Sequence, residues 1–62
     1  VKIEFKNNDG YVRFIEGSQA YHLRDVSEVV VKDGCFLVKG PNMKGEYIIP
    51  EGRVIYAGYE IG

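Results

Sequence analysis

Asp33-Gly34 sits between two apolar runs, Val29-Val30-Val31 and Phe36-Leu37-Val38. A type I′ turn needs positive φ at both central residues, and Asp-Gly tolerates this, so the dipeptide is a strong hairpin signal. A two-residue loop sets the register. Lys32 then faces Cys35, Val31 faces Phe36, Val30 faces Leu37, Val29 faces Val38 and Glu28 faces Lys39. Successive side chains point to opposite faces of a strand. One face therefore carries Val29, Val31, Phe36 and Val38 and must be core. The other carries Glu28 opposite Lys39, Lys32 beside Cys35, and the pair Val30/Leu37. Facing opposite charges add about 0.2–1 kcal/mol and mark that second face as mostly wet. Val30 and Leu37 are out of place there, so another segment or a partner covers them.

The remaining segments look built to pack on this hairpin. Residues 1–6 alternate, with Val1, Ile3 and Phe5 on one side and Lys2, Glu4 and Lys6 on the other. That is the pattern of a half-buried strand. Asn7-Asn8-Asp9-Gly10 is a turn cluster, and residues 11–16 read as a second strand. A four-residue loop pairs the two strands with Phe5 opposite Val12 and Ile3 opposite Phe14, all four in the core. A two-residue loop would set Lys6 against Arg13, a like-charge clash. Gly17-Ser18-Gln19 is a loop. Residues 20–23 form either a short strand, with Tyr21 and Leu23 inward, or an extended crossover.

Asp25-Val26-Ser27-Glu28 has the form of a helix-starting capping box. Three β-branched valines follow, so at most one turn at Arg24–Asp25 is expected before the strand. Pro41 suits the second position of a turn in the glycine-flanked stretch from Gly40 to Gly45. Residues 46–49 read as another strand. Pro50-Glu51-Gly52 reads as a tight connection with a 3₁₀ turn, and residues 54–61 as the last strand. Val54 and Tyr56 are expected on one face of it, and Ile55, Ala57, Tyr59 and Ile61 on the other. Gly58 inside it marks a bulge or a corner.

Five or six short strands with turn signals about every 8–12 residues predict an all-β fold. The expected form is a small antiparallel barrel, SH3-like, Sm-like or truncated OB-like, as one domain over residues 1–62. The run Gly45-Glu46-Tyr47-Ile48-Ile49-Pro50-Glu51-Gly52-Arg53-Val54 resembles the end of an SH3 domain, where a strand enters a proline, a 3₁₀ turn and a last strand. The resemblance spans those residues and implies architecture alone. The acidic, tyrosine-rich loop and the tryptophan of a peptide-binding SH3 groove are absent.

A chain of 62 residues buries only about 60% of its unfolded surface and is marginal alone. One cysteine allows no internal disulfide, and one Cys with one His cannot close a zinc site. Support must come from oligomerisation, a partner or a well-idealised core. The net charge of −1 and pI of about 5.7 lack the positive field of most nucleic-acid binders. No apolar run approaches roughly 18 residues and none resembles a signal peptide, so no membrane partner is expected. Free Cys35 without a secretory signal points to a reducing, cytoplasmic setting. The chain opens at Val1 with no initiator methionine, so it is either processed or cut from something longer.

No motif for catalysis stands out, and no cofactor is expected. Cys35, His22 and Asp25 would be the nucleophile, base and orienter of a thiol enzyme. A cysteine beside a hairpin turn and a chance histidine explain them as well, and the chain reads as non-enzymatic. His22, Asp25 and Glu28 could ligate a metal, but nothing in their spacing makes them converge on an extended segment. The stretch from Gly40 to Gly45 lacks the Gly-Lys-Ser/Thr run and following helix of a phosphate loop. A barrel this small leaves little room for a pocket of about 300–1,000 Å³.

Five tyrosines and no tryptophan make up an interface-like aromatic set. The expected function is a small protein-interaction module: a regulator, inhibitor or assembly accessory. It would bind another protein, or itself as a homo-oligomer, through Val30, Leu37, Tyr47, Tyr56 and Tyr59. The alternative is single-stranded nucleic-acid binding, with Tyr11 and Tyr21 as stacking platforms and Arg13, Lys39 and Lys44 as cations. The acidic balance argues against tight phosphate binding.

Overall fold

The computed structural model describes residues 1–60. Its centre is the Asp33-Gly34 hairpin, joining β4 (Glu28–Lys32) to β5 (Cys35–Lys39). Asp33 and Gly34 take φ of 52° and 73°, as a type I′ turn requires. All five expected cross-strand pairs form, from Glu28–Lys39 to Lys32–Cys35.

The other strands are β1 (Lys2–Glu4), β2 (Gly10–Glu16), β3 (Gln19–Val26), β6 (Tyr47–Pro50) and β7 (Val54–Tyr59). They form two antiparallel sheets, ordered β1-β4-β5-β6 and β3-β2-β7. The fold is all-β and antiparallel, and among the described residues no hydrogen-bonded ladder joins the two sheets into a closed cylinder. Among the same residues no helix is long and apolar enough to cross a membrane. The strand number rises to seven because the segment expected as a short strand or a crossover forms all of β3, which Ser27 alone separates from β4. Together they make one bent strand that serves both sheets.

The bend has a physical cause. Asp25 adopts φ of 56°, which re-aims the chain at the end of β3. No helical turn forms here, within the expected limit of at most one. Instead the Ser27 amide and hydroxyl both donate to the Lys39 carbonyl, at 2.8 and 3.2 Å. Gly40 sits directly against the bend. A Cβ there would collide with the Asp25 backbone carbonyl and press on Met43 Cε at 3.3 Å. Gly40→Ala should therefore destabilise the domain by about 1–3 kcal/mol, the usual effect of overpacking. A lowered urea midpoint at constant slope is the readout. Gly52→Ala meets open space and should leave the midpoint in place.

The expected first hairpin is not formed. β1 pairs with β4, with Ile3 opposite Val29, while β2 pairs with β3 and β7. Asn7 and Asn8 take φ of 56° and 55° and carry the chain from one sheet to the other. Asn tolerates this left-handed region better than most residues. β1 instead satisfies the free edge of β4: the Val31 amide donates to the Val1 carbonyl at 2.8 Å, and the Phe5 amide to the Ser27 carbonyl at 2.9 Å. Ile3 is consequently 44% exposed rather than core.

The core lies between the sheets: Val12, Phe14 and Val26 on one side, Val29, Val38 and Ile49 on the other. Phe5, Val31 and Phe36 pack at its margin. The last strand also departs from expectation. Arg13 faces Tyr56 while Phe14 faces Val54, so Ile55 is a bulge residue. Val54 therefore points inward and Tyr56 outward, not to one face as alternation alone implies. The bulge falls at Ile55, not at Gly58. Ile61 lies outside the described residues.

Candidate interaction face

The outward face of the four-stranded sheet is organised in rows. Lys2, Val30, Leu37 and Ile48 are consecutive cross-strand neighbours. The row beyond them holds Lys32, Cys35 and Pro50. Val30 and Leu37 are half-buried, and Ile48 is 65% exposed. The second sheet packs on the opposite side, against Val29, Val38 and Ile49. The result is an uncovered apolar strip across β4, β5 and β6.

A line of charges borders this strip. Lys2 Nζ lies 3.4 Å from Glu4 and 3.3 Å from Glu28, and Lys39 Nζ lies 3.8 Å from Glu28 and 3.3 Å from Glu46. The signs alternate: Glu4, Lys2, Glu28, Lys39, Glu46. Hydrogen bonds to Glu28 and then Glu4, with the charges of both, raise the Lys2 ammonium above the ordinary lysine value of 10.5. A value raised in the folded state contributes stability that is whole below the ordinary lysine value. That contribution is lost as pH climbs through the raised value. The Lys2 ammonium therefore stays charged at neutral pH. Lys2→Met should lower the melting temperature slightly at pH 7, and the difference should close in strong alkali.

Of the residues expected to bind a partner, only Val30 and Leu37 lie together. Tyr47 aligns with Val38 and Val29 on the inner face, 47% exposed at the sheet edge. Tyr59 is opposite Gly10 on the inner side of the second sheet. It borders an apolar groove of about 220 Å³ with Ile3, Phe5 and Phe36. Tyr56 points out from the second sheet, 45% exposed. Ile48, the most open member of the strip, was missed. It is found by carrying the central register across the loop onto β6.

The residues of the nucleic-acid alternative separate too. Tyr11 and Arg13 share the outward face of the second sheet. Tyr21 is opposite Phe14 on the inward side and stacks on it at 5.5 Å, its hydroxyl donating to Gln19 Oε1 at 3.1 Å. Lys39 belongs to the charge line. Lys44, with Tyr47, Leu23, Arg24 and Met43, lines an open groove of about 530 Å³, larger than a barrel this small was expected to hold.

Cys35 lies in β5 and His22 in β3, in different sheets. Among the described residues no three His, Cys, Asp or Glu side chains gather as a metal site. No protein-family model, curated protein or solved structure matches this chain.

Proposed function

We propose that this chain is a small non-catalytic protein-interaction module that works through the outward face of its four-stranded sheet. The observation behind this reading is the Val30–Leu37–Ile48 strip, uncovered on one sheet face and bordered by alternating charges. Fully covering an exposed aliphatic side chain is worth about 1.5–3 kcal/mol, and the half-buried Val30 and Leu37 gain part of that. Three in a row form the apolar centre that a small interface needs, and the charge line supplies its polar rim. The alternation of sign selects register and orientation in a partner. A second copy or another protein meets these requirements, and the role fits a regulator, inhibitor or assembly accessory of the cytoplasm. The strand path supports an SH3-like architecture as well: β6 ends at Pro50, a 3₁₀ turn follows at Glu51–Arg53, and β7 returns beside β2.

Ile48→Asp tests the reading, with Ile55→Asp as the control on the other sheet. Association is followed by sedimentation of the purified chain over a wide concentration range and by recovery of its complex from the native host. Ile48→Asp should abolish the association and Ile55→Asp should keep it. Equal behaviour of the two variants would refute the assignment of this face.

A further inference from the structure

The outward face of the three-stranded sheet has a different chemistry from the apolar strip. Strand alternation and register place Tyr11, Arg13 and Ile15 of β2 there, with Ala20 and His22 of β3 and Tyr56 and Gly58 of β7. No carboxylate occupies any of these positions. Arg13 lies between His22 and Tyr56, its direct neighbours on the two flanking strands. Tyr11 stacks with His22 at a ring separation of 5.4 Å and meets Tyr56 edge-on at 5.8 Å.

Gly58 permits this arrangement. It is directly opposite Tyr11, and a Cβ on it would come within 3.0 Å of the tyrosine hydroxyl oxygen. Tyr11 therefore lies across β7 rather than standing away from the sheet. His22 and Tyr56 remain exposed. The four ion pairs among the described residues all belong to Lys2 and Lys39 on the other sheet. Arg13 and Arg24 take part in none of them. The Asp25 carboxylate next to Arg24 turns to Asn42, whose amide nitrogen is 3.4 Å away. At one end of the face Asp9, Asp25 and Glu60 line a small pit together with Arg24.

We infer that this face is a binding platform for single-stranded nucleic acid. Bases stack on the Tyr11–His22–Tyr56 cluster, and Arg13 holds a phosphate. Arg13, in none of the ion pairs among the described residues and flanked by His22 and Tyr56 with Tyr11 beside them, complements an anionic backbone bearing flat bases. A duplex hides its base faces and does not fit. Stacking carries most of the affinity, because each released counterion needs its own cation and the face offers one arginine, Arg13. The inference is independent of the apolar strip on the other sheet and does not require it.

The probe is a fluorescein-labelled oligothymidylate of about twelve nucleotides, followed by anisotropy at about 20 and 150 mM salt. The wild type should bind at low salt, with a shallow salt slope of about −0.7 per phosphate held. Arg13→Ala and His22→Ala should each weaken binding about five- to a hundredfold, while Lys44→Ala should not change it. Should a variant fail to fold, the wild type still decides. The chain has no tryptophan, so its emission is that of its tyrosines, and the oligonucleotide should quench it on binding. Absence of binding at low salt overturns the inference. So does binding without quenching, an unchanged affinity in folded Arg13→Ala, or equal displacement by a polyglutamate peptide, which would mark an acidic protein partner instead.

Discussion

Phe14→Ala should lower the stability of the domain by about 3–5 kcal/mol, the largest loss expected from any single truncation. Phe14 is 7% exposed, faces Val54 across the sheet and stacks with Tyr21. Truncating a buried phenylalanine costs about 3–5 kcal/mol, through lost transfer energy and the cavity left behind. A chain of 62 residues has roughly 3–9 kcal/mol in total, at about 0.05–0.15 kcal/mol per residue. The substitution thus removes between about a third and all of the stability. The fully buried valines, Val12, Val26, Val29 and Val38, are too small to close the gap. Ile15→Ala is the matched control. Its side chain is the next one along β2, points the other way and is 44% exposed, so its effect should stay within about 0.5 kcal/mol. Urea denaturation of both proteins checks the pair. Equal losses would mean that β2 does not present alternate residues to core and solvent.

The central hairpin was legible because local chemistry specified it. Asp33-Gly34 admits few turn types, and the turn sets the register of every pair behind it. The Pro50 corner was legible for the same reason. The partner of β1 was not. Alternation shows which side of a strand is buried but is silent on which strand lies beside it. Ile3 and Phe5 satisfy the pattern equally well against β2 or β4, and the left-handed Asn7-Asn8 pair decides between them. Faces were misassigned on β7 because one extra residue, Ile55, reverses every side chain beyond it, and nothing in the sequence distinguishes Ile55 as the bulge.

The candidate face was half legible. Val30 and Leu37 stood out as apolar residues on a charged side, and the structure leaves them beside the open Ile48. The tyrosines were grouped by residue type, without a register to place them. Tyr47, Tyr56 and Tyr59 accordingly fall on three different surfaces.

The second large effect concerns association. Leu37→Asp places a carboxylate at the middle of the apolar strip, between Val30 and Ile48. Covering an unpaired charge is far more costly than covering an aliphatic group. Any interface centred there should weaken at least a hundredfold, about 2.7 kcal/mol or more. The isolated domain should change little, because Leu37 points away from the core that Val38 and Ile49 share with the other sheet. Thermal melts and binding of the same sample separate the two effects. A parallel loss of both would make Leu37 a structural residue.

The most direct measurement is photo-crosslinking from the strip itself. A photoreactive amino acid replaces Ile48, 65% exposed, and in a separate protein Lys44, in the loop that precedes β6. Illumination in the native host should give one discrete product from position 48, a dimer or an adduct with one other protein, and none from position 44. Position 48 yielding no product, or the same products as position 44, would contradict the account.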